Sequence, residues 1–332
     1  MHNHIKIIAE AGCNHNGNFD EAVNLIKVAK DCGADAVKFQ IIFPEDLYIP
    51  YLVENGIKVS NPVIAQRNKT NLPNEAYIEL SKVAKDLDIE FSSSIFCKKS
   101  LELLVKCDPS FIKLASVDLN NHILIQQAAE TGIPLILSTG FSSKEDIQAT
   151  LDFMDSINCN NFSILHCVSV YPAPTNIMNL RYIEKIKSMT DRPVGLSDHS
   201  DSPIAAIVAS SMGIEIIEKH FTLDRNQEGF DHSHSMNPSE FEDYVTCIRA
   251  AESSLTVQKN KLTEGELEVR KRARRGLYFK CDLISGHVIT LDDIHIVRPT
   301  NDLLPSDAFK IIGKKVIKDV SRGDDIFIND LS

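Results

Sequence analysis

Two histidines close consecutive apolar runs of the sequence. His199 lies in GLSDHS, residues 195–200, and His220 lies in IEIIEKHFT, residues 214–222. If both runs are neighbouring strands, the two imidazoles can face each other and hold a catalytic divalent metal, with positions left for water or carboxylate. In the alternative interpretation, each histidine caps a loop or hydrogen-bonds a neighbour.

Two lysines follow apolar residues in the same way, Lys38 in AVKFQ and Lys113 in FIKLAS. Lysine rarely points into a core unless it is paired. Together with nearby serines, the two cations predict a site for a small phosphate or carboxylate dianion. A Schiff-base lysine and salt bridges with Glu10 or Asp118 are the alternatives. The serines are Ser94, Ser116, Ser138 and Ser197.

Eight strand-like runs, each followed by a helix-like stretch, account for these positions. The runs are short and apolar on both faces, which is typical of a parallel sheet. Eight such units in about 250 residues predict a closed (β/α)₈ TIM barrel. An open doubly wound sheet is the rival, but no GxGxxG follows the first run. The runs are 5–11, 35–40, 89–94, 110–116, 134–140, 161–167, 193–198 and 214–221.

Polar or ionisable residues close all eight runs. In a barrel the carboxyl ends of the strands meet at one mouth, where active sites form. We therefore expect Glu10, the lysines, the serines and the two histidines to lie around a common pit. The HSH segment, residues 232–234, is expected to be exposed and outside this site, and residues 48–73 are expected to form an irregular loop.

The character of the sequence changes after residue 256. Residues 257–275 are polar and charged and predict a linker with one or two helical turns. Residues 276–332 contain short strand-like runs broken by Gly, Asp and Pro, which predict a small, mostly β domain. A domain of this size has marginal stability by itself and is expected to pack against another protein surface. The predicted division is thus a barrel at 1–256, the linker and a C-terminal domain.

Composition excludes several classes of protein. The chain has 332 residues, of which 43% are hydrophobic, and a net charge of −11. This charge argues against binding to nucleic acid or to an anionic membrane surface. The sequence contains neither a signal peptide pattern nor a membrane-length apolar run. Eight cysteines without a CxxC pair indicate reduced thiols and predict a cytoplasmic location.

Seven motifs, in this order and on these strands, resemble the N-acetylneuraminate synthase family, which makes sialic, legionaminic and pseudaminic acids. The resemblance covers residues 5–255, and the segment with HIVRP is similar to the antifreeze-like (SAF) domain of that family. The motifs are IAEAGCNHNG, AVKFQ, IKLAS, LILSTG, HCVSVYPAP, GLSDHS and EKHFT.

The resemblance implies a transferase that condenses phosphoenolpyruvate with an N-acetylated amino sugar. The sugar would be N-acetylmannosamine or a diacetamido-trideoxyhexose, and the product a nine-carbon 2-keto sugar acid, with phosphate released by C–O cleavage. It also implies a Mn²⁺ or Mg²⁺ ion on His199 and His220. The small domain would carry Arg298 to the active site of the partner subunit in a domain-swapped homodimer.

The same resemblance implies roles for the remaining side chains of the site. Glu10 is our candidate for the carboxylate that directs water to the reacting carbon. Ser169 stands where many sialic acid synthases have Asn, and Asp118 replaces a longer Glu. The phosphoenolpyruvate pocket would comprise Lys38, Ser94, Lys113, Ser116, Ser138 and Ser197. The positions around the sugar would be Glu10, Gln40, Asp118, Tyr171 and Asp231, and the loop at 48–73 would also contact the sugar. Ser169 would be a further substrate-binding residue.

Two other functions remain open at this point. A metal-dependent pyruvate aldolase of the TIM-barrel class would also join a 2-keto acid to an aldehyde, but it would release no phosphate. A non-catalytic barrel that binds a ligand is the second alternative. The complete set of polar strand ends argues against it, because a degenerate enzyme should have lost some of them.

Overall fold

A computed structural model describes residues 4–255 and 262–332, which divide into two compact units, within 1–256 and within 257–332. No helix in the described ranges is long and apolar enough to cross a membrane. All eight cysteines are free thiols.

The strands are, in chain order, β1 (Lys6–Gly12), β2 (Ala36–Gln40), β3 (Tyr51–Glu54), β4 (Ile57–Ser60), β5 (Glu90–Ile95), β6 (Phe111–Leu114), β7 (Leu135–Ser138), β8 (Phe162–Cys167), β9 (Val194–Asp198), β10 (Ile216–His220), β11 (Gly276–Phe279) and β12 (Ile294–Val297).

The α-helices are α1 (Phe19–Asp31), α2 (Pro44–Leu47), α3 (Pro62–Thr70), α4 (Asn74–Asp86), α5 (Lys98–Lys106), α6 (His122–Ala129), α7 (Lys144–Ser156), α8 (Tyr182–Lys187), α9 (Ile204–Ser211), α10 (Pro238–Ser254), α11 (Glu264–Ala273) and α12 (Ala308–Ile311).

The first unit is a closed barrel of parallel strands. The order around the wall is β1, β10, β9, β8, β7, β6, β5 and β2, and β2 pairs again with β1. Helices follow the strands along the chain, as the sequence pattern predicts. The predicted (β/α)₈ barrel is therefore confirmed.

The two faces of each barrel strand lead to different apolar clusters. Successive side chains of a strand alternate between its faces. Ile7 and Val37 belong to the large cluster that also includes the helix residues, whereas their neighbours Ile8 and Ala36 belong to a separate cluster. This separate cluster is the floor of the barrel interior, and its members are Ile8, Ala36, Phe111, Ile136, Leu165 and Ile216.

Helix α1 illustrates how the outer layer is encoded. The side chain of Asn18 accepts hydrogen bonds from the backbone N–H groups of the first turn and so caps the helix. Its buried residues recur at helical spacing, so one stripe packs on the strands. Gly33 follows the last turn with a φ of +85°, a conformation that favours glycine. The buried stripe is Ala22, Leu25, Ile26 and Ala29.

Residues 48–73 are not irregular, as the sequence interpretation had them. Strands β3 and β4 form an antiparallel hairpin, and α3 follows it. Asn55 and Gly56 connect the strands with φ values of +50° and +81°. An Asn-Gly pair with positive φ at both positions is the favoured two-residue hairpin turn. The local signal for the hairpin was therefore present in the sequence.

The second unit has its own apolar core. Strands β11 and β12 pair antiparallel, and isolated bridges extend the β structure, for example between Leu283 and Val320. The predicted linker, 257–275, contains the ten-residue helix α11, which is longer than the one or two turns expected. Residues 257–261 of that linker lie outside the described residues.

We expect Gly195→Ala to destabilise the barrel. A methyl group there would meet the carbonyl oxygen of Ile216 on the adjoining strand and lie 2.6 Å from Leu165 Cδ2. Because a shift of the backbone at Ile216 would disturb the sheet, the substitution should lower the free energy of unfolding by about 3 kcal/mol or more. Gly132→Ala is the control, since it faces open space and only its φ of +73° is strained, at about 1–2 kcal/mol. Thermal denaturation would measure both, and equal losses would contradict this account.

Candidate functional site at the barrel mouth

A layer of polar side chains lies directly above the apolar floor. Each member stands two residues after a floor residue on its strand, so both point to the same face. Glu10 follows Ile8, Lys38 follows Ala36, and Lys113 follows Phe111. All three side chains are buried, with at most 2% of each residue exposed. The sequence expectation that strand ends converge on the barrel interior is met by these positions.

Lys38 is held by two carboxylates and a hydroxyl. Its Nζ lies 2.5 Å from Glu10 Oε2 and 3.5 Å from Glu218 Oε2, and it donates a hydrogen bond to Ser94 Oγ at 2.8 Å. Burial lowers the pKa of Lys38, but Glu10 and Glu218 outweigh burial and raise it. The salt bridge between Lys38 and Glu10, one of the alternatives left open by the sequence, is therefore present.

Lys113 has a different set of partners. Its Nζ donates to Ser138 Oγ at 2.7 Å and to the carbonyl oxygen of Leu114 at 3.0 Å, and it lies 3.9 Å from Glu218 Oε1. Burial lowers the pKa of Lys113. Asp118, the other anticipated partner, makes no salt bridge within the described ranges.

Glu218 was missed by the sequence interpretation. It is buried on β10 between the two lysines, and Ser197 Oγ donates to its Oε1 at 2.9 Å. Burial would raise the pKa of Glu218, but Lys113 and Lys38 outweigh it and lower the pKa to about 2. The signal was its position two residues before His220, on the same strand face.

Glu10 has the opposite character. Burial is the largest influence on it and, against the lowering effect of Lys38, raises the pKa of Glu10 to about 7. Gln40 Nε2 donates to Glu10 Oε1 at 2.8 Å. Two buried carboxylates of one site therefore differ widely in proton affinity, a pattern that separates a proton-transfer group from a permanent anion.

The two histidines lie together at the mouth, as predicted. The ring centroids of His199 and His220 are 5.5 Å apart, and the Tyr171 ring lies 4.2 Å from that of His199. His199 Nδ1 lies 2.9 Å from the carbonyl oxygen of Val168, so a proton on Nδ1 leaves Nε2 free to act as a ligand. His220 Nδ1 is buried without a hydrogen-bond partner among the described atoms.

These histidines fit part of the ligand set of a divalent ion. Burial, together with His199 and His234, lowers the pKa of His220 well below its usual value, so its imidazole is neutral, the form that binds metal. Among residues 4–255 and 262–332, no group of three or more His, Cys, Asp or Glu is placed to hold a metal ion. The pair would therefore supply two ligands at most, and water or substrate would have to fill the other positions.

The two histidines of the HSH segment are not exposed, contrary to expectation. His232 is buried and lies 2.7 Å from Thr222 Oγ1 and 3.0 Å from Asn16 Nδ2. His234 is half-buried, and its ring lies 5.3 Å from that of His220. The short helix at 232–234 folds back onto β10, which a polar sequence without apolar spacing could not reveal.

A compact cluster of small side chains joins the loops after β6, β7 and β8. The backbone N–H of Gly140 donates to Ser116 Oγ at 3.0 Å, and Ser116 Oγ lies 3.4 Å from Cys167 Sγ. Ser169 Oγ is 3.6 Å from the same sulfur. A methyl group at Gly140 would overlap Ser169 and lie 2.7 Å from Ser116 Oγ. Cys167, to which the sequence analysis gives no role, thus lies at the centre of this cluster.

Gln40 and Asp231 lie on the side of the mouth next to Glu10. Gln40 Nε2 is 3.4 Å from Asp231 Oδ2. Gly12, at the end of β1, has a φ of +54°, and a methyl group on it would lie 2.7 Å from Asp231 Oδ2. The close approach of these groups therefore depends on a bare backbone at position 12.

Two predicted residues are not brought into this set of contacts. Asp118 is buried in the short helix 116–118, where Asn121 Nδ2 donates to its Oδ1 at 3.0 Å; burial raises its pKa. Arg298 follows β12 in the second unit, where its side chain is exposed.

A second layer supports the histidines from the helix side. Lys219 and Asp198 alternate with the inward residues and face the helices, where Tyr244 of α10 donates to Asp198 Oδ2 at 2.8 Å. Lys219 Nζ lies 4.0 Å from Asp198 Oδ1 and donates to the carbonyl of Ser200. These buried contacts fix the residues immediately before His199 and His220.

Comparison with known proteins gives consistent matches. The NeuB family model matches residues 25–260, and the SAF domain model matches residues 274–332. The N,N'-diacetyllegionaminic acid synthase of Legionella pneumophila is 34% identical over 96% of this chain and 92% of its own. The pseudaminic acid synthase of Campylobacter jejuni is 32% identical over 96% of this chain and 94% of its own.

A solved structure is similar over most of the fold. The crystal structure of the N-acetylneuraminic acid (sialic acid) synthetase of Leptospira borgpetersenii, in complex with citrate, superposes with a TM-score of 0.71 at 32% identity. The match covers 80% of this chain and 90% of that one. The resemblance found in the motifs is confirmed: the chain belongs to the NeuB family and carries a SAF domain.

Proposed function

We propose that this protein is a nonulosonic acid synthase that condenses phosphoenolpyruvate with an N-acylated amino sugar. The observation that carries the proposal is the buried layer of Lys38, Lys113, Glu10 and Glu218 beside the paired imidazoles of His199 and His220. The names of the relatives support the class of reaction, since they are synthases of legionaminic, pseudaminic and sialic acids.

The lysine layer suits phosphoenolpyruvate, which carries a phosphate and a carboxylate. Without ligand, the two ammonium groups are balanced by the two carboxylates. Because the pKa of Glu10 is about 7, this carboxyl can be neutral near physiological pH, which leaves a net positive charge for the ligand. We assign Ser94, Ser116, Ser138 and Ser197, with Ser169, as hydrogen-bonding groups of this pocket.

His199 and His220 are the proposed ligands of a Mn²⁺ or Mg²⁺ ion. The free Nε2 of His199 and the unpartnered Nδ1 of His220 support this assignment. When bound, the ion would supply Lewis acidity for the sugar aldehyde. The Tyr171 ring, tilted by 42° against that of His199 at a centroid distance of 4.2 Å, would help to close the site from solvent.

Glu10 is the proposed base for the water that enters the reaction. C3 of phosphoenolpyruvate forms a bond to the aldehyde carbon, whose oxygen takes the proton of the neutral Glu10 carboxyl, and C2 becomes an oxocarbenium centre. Glu10, now a carboxylate, removes a proton from the water that adds to C2 and so regains its neutral form. The C2–O bond to phosphate then breaks, the C2 hydroxyl proton leaves with the phosphate, and C2 becomes the ketone. Lys38 and Lys113 stabilise the leaving phosphate charge.

The sugar would lie on the side of Gln40 and Asp231, which contact each other next to Glu10. Asp118 and Arg298 remain proposed sugar contacts. In the proposal, Arg298 comes from a partner subunit in a domain-swapped homodimer. Exposed apolar side chains in the loops after β6, β7 and β8 support a covered mouth; they are Val117, Phe141 and Val170.

We expect phosphate release when the protein is mixed with phosphoenolpyruvate, Mn²⁺ and an N-acylated amino sugar. Product mass should equal that of a nine-carbon 2-keto sugar acid. A panel of N-acetylmannosamine and diacetamido-trideoxyhexoses would identify the sugar. Pyruvate should not replace phosphoenolpyruvate; turnover of pyruvate without phosphate release would instead establish the rival aldolase.

We expect Glu10→Gln to lower kcat by about 100-fold or more, since general base catalysis contributes on this scale. Affinity for phosphoenolpyruvate, measured by calorimetry, should be kept, because glutamine preserves the shape of the side chain. Glu90→Gln is the matched control, as Glu90 begins β5 at the other end of the barrel and pairs with Lys6. Wild-type turnover in Glu10→Gln would remove Glu10 from the mechanism.

We expect His220→Ala to weaken Mn²⁺ binding at least tenfold, because one of two proposed ligands is lost. Titration followed by Mn²⁺ electron paramagnetic resonance measures this without turnover. His122→Ala is the control, because His122 stacks on Phe153 in the helix layer at a centroid distance of 4.3 Å. Equal Mn²⁺ affinity in both variants would exclude His220 as a ligand.

A further inference from the structure

Arg67 brings a cation to the mouth that the proposed mechanism does not use. It lies on α3, in the segment that contains the β3–β4 hairpin. Its guanidinium carbon is 3.5 Å from the centroid of the Phe230 ring, and Nη1 donates to Cys13 Sγ at 3.5 Å. The side chain is therefore fixed against an aromatic face and a thiol.

The hydrogen-bonding capacity of Arg67 is largely unused. Its Nε is buried without a partner among the described atoms, and no carboxylate of the described chain lies within salt-bridge distance of it. Sulfur is a weak acceptor, so the guanidinium, which has five donor N–H groups, has only this poor side-chain partner among the described residues. Leaving a charged donor without a partner costs free energy. An acceptor supplied by a ligand would remove this cost.

Arg67 lies on the sugar side of the site. Cys13 Sγ, its partner, is 3.7 Å from Gln40 Oε1, and Gln40 in turn donates to Glu10. Arg67 is thus separated from Glu10 by two side chains. A ligand atom that reaches Arg67 would belong to the part of the sugar remote from the reacting carbon.

The charges around Arg67 favour a neutral acceptor over a phosphate. Asp231 directly follows Phe230, and its Oδ2 lies 3.4 Å from Nε2 of Gln40, the residue that also contacts Cys13. A phosphate dianion would meet one guanidinium and this carboxylate, and repulsion would offset much of the attraction. A carbonyl oxygen of an amide accepts from a guanidinium without that repulsion, and its alkyl end can pack on aromatic surface.

We propose that Arg67 is a specificity-determining residue that donates to the carbonyl oxygen of a second acylamino group on the sugar. The inference rests on the proposed function and narrows it: the preferred substrate is a diacylated amino sugar. A site built to hydrogen-bond a substituent discriminates strongly against an analogue that lacks it, because its own polar group is then left unpaired. Phe230 contributes by holding the guanidinium in place.

The test compares a diacetamido-trideoxyhexose with N-acetylmannosamine and N-acetylmannosamine 6-phosphate. In Arg67→Gln, kcat/KM for the diacetamido sugar should fall by about 10- to 100-fold, the range for a hydrogen bond from a charged donor. The kcat/KM of the same variant for N-acetylmannosamine should stay within about threefold of the wild-type value. Phe230→Leu should lose the same preference, and Lys69→Gln, an exposed cation of α3, should change neither value.

Equal losses on both unphosphorylated sugars would overturn the inference, as would a wild-type preference for the 6-phosphate that Arg67→Gln removes. If no sugar releases phosphate, the proposed function fails, and calorimetric binding of the diacetamido sugar decides the role of Arg67. Tenfold weaker binding to Arg67→Gln than to wild type would then support that role, and equal binding would overturn it. Matching thermal denaturation curves of the variants would verify their folding.

Discussion

Two ammonium groups lie inside the barrel, and the arrangement of the whole site follows from the need to balance their charge. A buried, unpaired lysine would lose its proton or destabilise the fold. Glu218 has a pKa of about 2 and therefore balances the ammonium charge as a permanent anion. Glu10 has a pKa of about 7 and balances this charge only when it is ionised. The serines complete the hydrogen bonds that the ammonium groups would otherwise make with water.

Strand alternation turns this electrostatic requirement into a geometry. Floor residues and charged residues differ by two positions, so the same pleat that buries Ile8 and Ala36 aims Glu10 and Lys38 into the interior. The intervening residues face the helices. Lys219 and Asp198 therefore contact Tyr244 of α10 and do not point into the barrel mouth. A register shift of one residue in any of these strands would turn the interior side chains towards the helices and the helix-facing side chains into the interior.

The sequence predicted the barrel and most of its interior because both depend on periodicity. Apolar runs of strand length fixed the eight units, and the histidines and lysines stood out because polar residues are rare there. Glu218 was overlooked, although alternation from His220 would have indicated it. The position of His232 and the contact of Arg67 with Phe230 could not be predicted, because they depend on how loops fold over the mouth. The hairpin at 51–60 was missed although Asn55-Gly56 encodes its turn.

The bare backbone at Gly12 limits how this enzyme can change during evolution. Any side chain at that position would push Asp231 away from Gln40, so position 12 offers no route to a new preference. Variation among descendants should instead accumulate in the segment that carries α3 and in the loop before His232, where Arg67 and Phe230 pack on each other. New substrates would thus be acquired by substitutions in the loops that cover the barrel mouth, while the barrel strands stay unchanged.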